Sequence, residues 1–215
     1  MPAATDRHPS LREEIANALS HGLGCLLAAA SLPVLLAGGW LPARPGSVLG
    51  AAVFASTMML CFLASTVYHA LPPGRAKHWL CRADHAAIFL FIAGSFTPFA
   101  LRNLDTDAGL AGFCLVWALA LTGIACKAGG RLRCPLRSTL LYVALGWVAA
   151  AAALPTLAVL SAPQIALIAG GGAAYMVGAV FFLVDRRLRY SHFVWHLFVL
   201  AGSGCHFTAA VQHLA

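Results

Sequence analysis

Apolar residues along this chain hold for about twenty positions at a time and are broken only by short polar stretches. That is the length a helix rising 1.5 Å per residue needs to cross a bilayer core of ~30 Å. Seven such spans can be drawn, at 17–40, 47–70, 84–101, 108–127, 138–160, 164–184 and 192–213. None alternates with the period of two expected of a barrel strand. Only helices and closed barrels satisfy every backbone N–H and C=O in lipid, so the pattern predicts an all-α membrane protein, a seven-transmembrane helix bundle. The fifth and sixth spans are divided at Ser161-Ala162-Pro163, with Pro163 read as a helix start. Residues 1–16 are polar and mixed in charge, and Ser10-Leu11-Arg12-Glu13 reads as a capping box for a short lead-in helix. The expected organisation is an N-terminal segment, 1–16, and one transmembrane domain, 17–215, without internal repeats. Ala37-Gly38-Gly39 offers the small residues of a signal-peptidase site, but the apolar core before it exceeds the 7–15 residues of a signal peptide. Span 1 is therefore expected to be retained.

Composition agrees with this reading. Of 215 residues 60% are hydrophobic and 10% charged, against about 25% charged in a soluble domain. The seven cysteines are scattered, mostly through apolar runs, with no C-x-x-C pair, and read as small buried hydrophobes. A net charge of +7 raises the question of nucleic acid. The basic residues, however, lack interleaved aromatics and sit in the short inter-span loops, where membrane orientation accounts for them. Twelve Lys and Arg fall on one side of the drawn topology and two on the other. The positive-inside rule then places the N-terminus in the cytoplasm and the C-terminus outside.

With that orientation, polar residues from separate spans meet at one membrane level. Span 2 ends at the inner side with Ser65-Thr66-Val67-Tyr68-His69, span 3 begins there at Asp84-His85, and span 7 begins there with His192-Phe193-Val194-Trp195-His196. Residues four apart share a helix face, so His192 and His196 can point at one ion, and Ser65 lies one turn deeper than His69. Ionisable groups at such depth face the bundle and have partners. Three imidazoles with one open position make up a catalytic zinc site, in which the metal lowers the pKa of bound water to about 7. Asp84 is the acidic residue placed to act as general base. Each member has a plainer reading: His69 as a helix-end cap, Asp84 as the N-cap of span 3 or a partner of Arg82, and the span 7 pair as interfacial histidines. Glu14, Asn17 and His21 share a face of span 1 at the same level and are expected to support the histidines. His85 points away from Asp84, His78 falls in a loop, and His213 lies at the far end. His206 is too deep for the same ion, while Ser95 and Ser203 are candidates to line the same interior. Gly170-Gly171-Gly172 and Gly178 are expected to let helices pack closely.

At these residues the chain resembles the hemolysin III family, the bacterial branch of the progestin and adipoQ receptor family, within a superfamily that includes alkaline ceramidases. The resemblance runs from Glu14-Ile15-Ala16-Asn17-Ala18-Leu19-Ser20-His21-Gly22 to the last span. It is carried by Ser65-x-x-x-His69, by Asp84-His85-Ala86-Ala87-Ile88 with Gly94-Ser95-Phe96-Thr97-Pro98, and by His192-x-x-x-His196. It implies a plasma-membrane protein with a Zn²⁺ ion near the cytoplasmic leaflet, held by His69, His192 and His196. Asp84 would hold the zinc-bound water, with Ser65 beside the site. Relatives that hydrolyse lipid amides make a ceramide-like lipid, entering laterally from the membrane, the expected substrate.

Two functions from different classes follow. One is zinc-dependent hydrolysis of a lipid amide with Asp84 and Ser65 as catalytic residues; the other is a non-enzymatic hemolysin-like or receptor-like protein in which zinc clamps spans 2, 3 and 7. An open fourth position favours the first and a closed four-ligand site the second. A single haem is disfavoured, because two histidines on one helix face cannot approach opposite faces of the ring. The charge asymmetry yields a direct test: reporters fused to the two termini should read cytoplasmic at the N-terminus and external at the C-terminus, and a cytoplasmic C-terminal reporter would refute the span count.

Overall fold

A computed structural model describes residues 7–37 and 45–214 of the chain. Gly38 and Gly39 of the small-residue tract, and Arg44 of the first loop, lie outside the described residues. The regular structure among the described residues is all helical, with no strand: α1 (Leu11–Ala37), α2 (Pro45–Ala70), α3 (Arg75–Ala100), α4 (Asp107–Ala128), α5 (Pro135–Ala152), the single turn α6 (Leu154–Leu157), α7 (Ala162–Leu183) and α8 (Ser191–Leu214). Seven of these are long and apolar enough to cross a membrane.

Local chemistry sets where several of them begin. Ser10 and Glu13 form the expected capping box: Glu13 Oε2 accepts from the Ser10 N–H at 2.9 Å, and the Glu13 N–H reaches Ser10 Oγ at 3.4 Å. The helix it opens is not a separate lead-in, because α1 continues unbroken into the first span. Ser161 and Gln164 make a second capping box at the head of α7, where Pro163 occupies the first turn as expected.

Two boundaries differ from the sequence reading. The third helix begins at Arg75, nine residues before Asp84. His78 is therefore helical, and Asp84 lies in the helix interior, which removes the N-cap reading. The fifth span ends at Ala152 because Pro155 has no N–H and its ring crowds the preceding turn. The freed turn is then reused: buried Thr156 donates to the Phe99 carbonyl at 2.7 Å and accepts from the Asn103 amide, tying α6 to the end of α3.

The central wall is α3. One apolar cluster, including Phe54, Met58, Phe62, Phe91, Val199 and Ala209, joins α1, α2, α3 and α8. The other, including Phe89, Phe96, Val116, Tyr142 and Leu145, joins α3 to α4 and α5. Of the glycines in α7, Gly171 and Gly178 lie against α8 at His206 and at Trp195 and Phe198, whereas a Cβ on Gly170 or Gly172 would point into open space among the described residues.

A clasp closes the end of the bundle at which α1 and α8 begin. Arg7 forms a two-pronged ion pair with buried Glu13, 2.6 Å on each prong, and also reaches the Leu188 carbonyl. Glu13 in turn accepts the Tyr190 N–H at 2.8 Å. Tyr190 has φ of 57°, a left-handed conformation that a bulky residue adopts only when held, and α8 begins at the next residue.

The contact between α2 and α3 generates a prediction. A Cβ on Gly94 would collide with Thr57, whose hydroxyl is fixed by bonds to the Val53 and Phe54 carbonyls. Gly94→Ala should cost about 1–3 kcal/mol and lower the melting midpoint in detergent, while Gly170→Ala, with open space around it, should leave it within a degree or two.

Candidate metal centre

Three helices build the site from one level. From α2 comes His69, from α8 come His192 and His196, and from α1 comes a row of polar residues packed between them. The three imidazoles are almost equidistant, with ring centroids 5.0 Å apart for His69 and His192, 5.1 Å for His69 and His196, and 4.8 Å for His192 and His196. Each offers a nitrogen within 4.8 Å of the other two, close enough to share one ion. His69 and His196 are buried and His192 is half-buried.

The hydrogen bonds say which nitrogen is free. His69 Nδ1 lies 2.6 Å from Glu14 Oε2, His192 Nδ1 lies 3.0 Å from Asp185 Oδ2, and His196 Nδ1 lies 3.2 Å from the Asn17 carbonyl. Carboxylate and carbonyl oxygens only accept, so in each neutral ring the proton sits on Nδ1 and Nε2 keeps its lone pair. Ser20 Oγ stands 3.0 Å from His196 Nδ1 and donates to the same Asn17 carbonyl, which leaves its own lone pairs toward the imidazole. His69 Nε2 is buried with no hydrogen-bond partner. A buried lone pair in that state suits a metal, and oriented Nδ1–H donors behind the ligands are the usual support of such a site. The residues fit a divalent ion that takes nitrogen ligands. Among the described residues no fourth His, Cys or carboxylate joins the trio.

The residues singled out from the sequence can now be placed. Asp84 on α3 is buried beside Ser65 of α2 and within electrostatic reach of His192. Ser65 Oγ itself is buried without a hydrogen bond. Arg82 does not pair with Asp84; it lies over the Trp79 ring and donates toward the Ala128 carbonyl. Of the expected supporting stripe, Glu14 and Asn17 hold histidines directly, and His21 does something else. Its ring stacks on His196 at 3.5 Å and 7°, its edge meets Phe62, and both its ring nitrogens are buried and unbonded.

Several residues stand apart from the trio. His85 contacts Cys81 Sγ and packs against Phe182, His206 bonds the Ile168 carbonyl, and His213 packs on Phe99. Ser95 bonds the Ile92 carbonyl of its own helix, and Ser203 pairs with Tyr175. Sequence reasoning missed Asp185, Ser20 and Lys77. Lys77 bonds Glu14 Oε1 at 2.8 Å, so one carboxylate bridges an ammonium and an imidazole. Asp185 stands seven residues before His192 beside three arginines, where it reads as loop charge. Only its position in the turn between α7 and α8 marks it.

Comparison with known proteins covers the helices that carry these residues. A model of a family described as haemolysin-III related matches residues 10–207. Hemolysin-3 of Bacillus cereus is 36% identical over 197 residues, covering 92% of this chain and 90% of that protein. The Hemolysin-3 homolog of Bacillus subtilis is 37% identical over 201 residues, covering 92% of each. The human monocyte to macrophage differentiation factor is 27% identical over 165 residues, or 73% of this chain and 68% of its own length. No solved structure matches. A match spanning α1 to α8, with these bacterial relatives along nine-tenths of the chain, means that this protein belongs to the haemolysin-III-related family of membrane proteins.

Proposed function

We propose that this protein is a zinc-dependent hydrolase of a lipid amide, with its centre near the cytoplasmic leaflet. The observation that carries the reading is a trio of Nε2 donors with no fourth protein ligand among the described residues, the donor set of a catalytic rather than a structural zinc site. His69, His192 and His196 would hold the ion. Zn²⁺ there would supply Lewis acidity, both to a water and to the amide carbonyl.

The chain's own residues divide the remaining work. Glu14, Asp185 and the Asn17 carbonyl keep the three rings in one tautomer and orientation. Asp84 orients the attacking water, takes its proton at a carboxylate oxygen and passes that proton to the leaving amine. Ser65 Oγ, beside Asp84, donates to the carbonyl oxygen as charge develops on it. A lipid approaches through the membrane, the solvent that surrounds the seven spans. A structural clamp would hold the same histidines without turning over any amide, and the substitutions below separate the two.

Purified protein should carry about one zinc per chain, and His196→Ala should lose it; full occupancy in that variant would remove the site. Glu14→Gln should weaken zinc binding by about 10–100-fold without abolishing it, read by competition with a chelator. Asp84→Asn should keep zinc and melting temperature while fatty-acid release from a long-chain amide falls by about 10²–10⁴-fold. Equal release from wild type and Asp84→Asn would take Asp84 out of the reaction, and no release from wild type across a lipid panel would favour the clamp.

A further inference from the structure

We infer that the first two turns of α3 hold the headgroup of an anionic phospholipid. The inference does not depend on the hydrolase reading and assigns a second ligand to a different face of the protein.

A groove of about 490 Å³ is lined by Gly74, Arg75, His78, Trp79 and Arg82. Its lining carries two guanidiniums and an imidazole and no acid. Trp79 is 65% exposed. An indole left open on a membrane protein, one turn from the end of a span, belongs at the level of the headgroups. The Arg82 guanidinium lies over that indole, 4.7 Å from the ring centroid, so the stack holds the cation in place. Arg133 adds a third positive group at the edge: a Cβ on Gly130 would stand 3.5 Å from Arg82 Nη2 and 3.8 Å from Arg133 Nη2. Two guanidiniums thus flank one backbone position with no carboxylate between them.

The acids on this side of the protein are already taken. On the basic side of the chain the described acids are Glu13, Glu14, Asp84 and Asp185. Glu13 is held by Arg7 and the Tyr190 N–H, Glu14 by His69 and Lys77, Asp185 by His192, and Asp84 is buried beside Ser65. All four are committed at or beneath the metal centre. Among the described residues Arg75, Arg82 and Arg133 have no carboxylate in ion-pair range. Arg82 and Arg133 donate only to the Ala128 and Gly130 carbonyls, so their charge is open to an anion from outside. A phosphodiester has the geometry a guanidinium fork matches, and a lipid brings it to the depth at which Trp79 sits.

Native mass spectrometry of the intact protein, titrated with phosphatidylglycerol or phosphatidylcholine, tests this. Wild type should retain one phosphatidylglycerol in preference to phosphatidylcholine. The double variant Arg75→Gln/Arg82→Gln should bind it about thirtyfold more weakly, from roughly 1 kcal/mol per arginine at an anionic surface and 1.4 kcal/mol per tenfold. Arg12→Gln/Arg187→Gln removes the same charge from the basic side of the chain at residues outside the groove lining and should bind as wild type does. Arg82→Lys keeps charge but loses the planar stack and should show part of the loss. Equal weakening by both double variants, or full affinity in Arg82→Lys, would reduce the site to diffuse charge and overturn it. Millimolar inorganic phosphate should leave the lipid in place, and displacement by phosphate would reassign the groove to a free anion. Melting midpoints measured alongside confirm that each variant is folded.

Discussion

A buried imidazole that is to turn one lone pair inward must give the N–H on its other side to an acceptor, because no solvent is there to take it. Each of the three clustered histidines meets that demand on its Nδ1 side, with two carboxylates and one backbone carbonyl as acceptors. The rest of this half of the bundle follows from this. Helix α1 passes between α2 and α8, supplying Glu14 to one and the Asn17 carbonyl and Ser20 to the other. The turn before α8 has to offer Asp185 at the right height, so its backbone is pinned by Glu13 through the left-handed Tyr190. With every proton directed outward, three lone pairs are left facing inward.

The other side of the molecule is organised around α3, whose two faces serve two different cores. Phe91 packs with α1, α2 and α8, while Phe89, two residues earlier, packs with α4 and α5. Asp84 rides on this shared wall, so its position relative to Ser65 is fixed by packing on both sides. Gly94 brings α3 close to α2 near the middle of the span, and the separation there carries down to the level of the site.

Much of this was legible in the sequence because lipid imposes a long, uniform period. The seven spans, the capping box at Ser10 and a helix start with Pro163 in the first turn of α7 all follow from hydropathy and local chemistry. The gathering of His69, His192 and His196 followed from placing helix ends on one side, and the supporting parts of Glu14 and Asn17 from their spacing. Boundaries set by amphipathic residues were harder to see. Arg75 to Arg82 look like a loop by charge, yet they continue α3, because long basic side chains and Trp79 are at home in the headgroup layer. The end of α5 turned on Pro155, a single residue within an otherwise unbroken apolar tract. Asp185 and Ser20 could not be identified by type, since each acts through one hydrogen bond whose partner is fixed only by tertiary position. The stacking of His21 on His196 likewise depends on the crossing of α1 and α8, which no periodicity encodes.

The pairing of the first long helix with the last has a consequence for biogenesis. Ser20 and His196 are separated by 176 positions along the chain, and Glu13 and Tyr190 by 177. A nascent polypeptide threading into the membrane from its amino end holds Glu14, Asn17, Ser20 and His21 within the apolar layer for the whole time the intervening helices are being made. Glu14 meets His69 and Lys77 once the second and third long helices are in, but until the final segment arrives the Asn17 carbonyl, Ser20 and His21 lack His196. The centre is therefore the last part of the protein to come into being, and the capture of an ion by it would register that translation and insertion had run to completion.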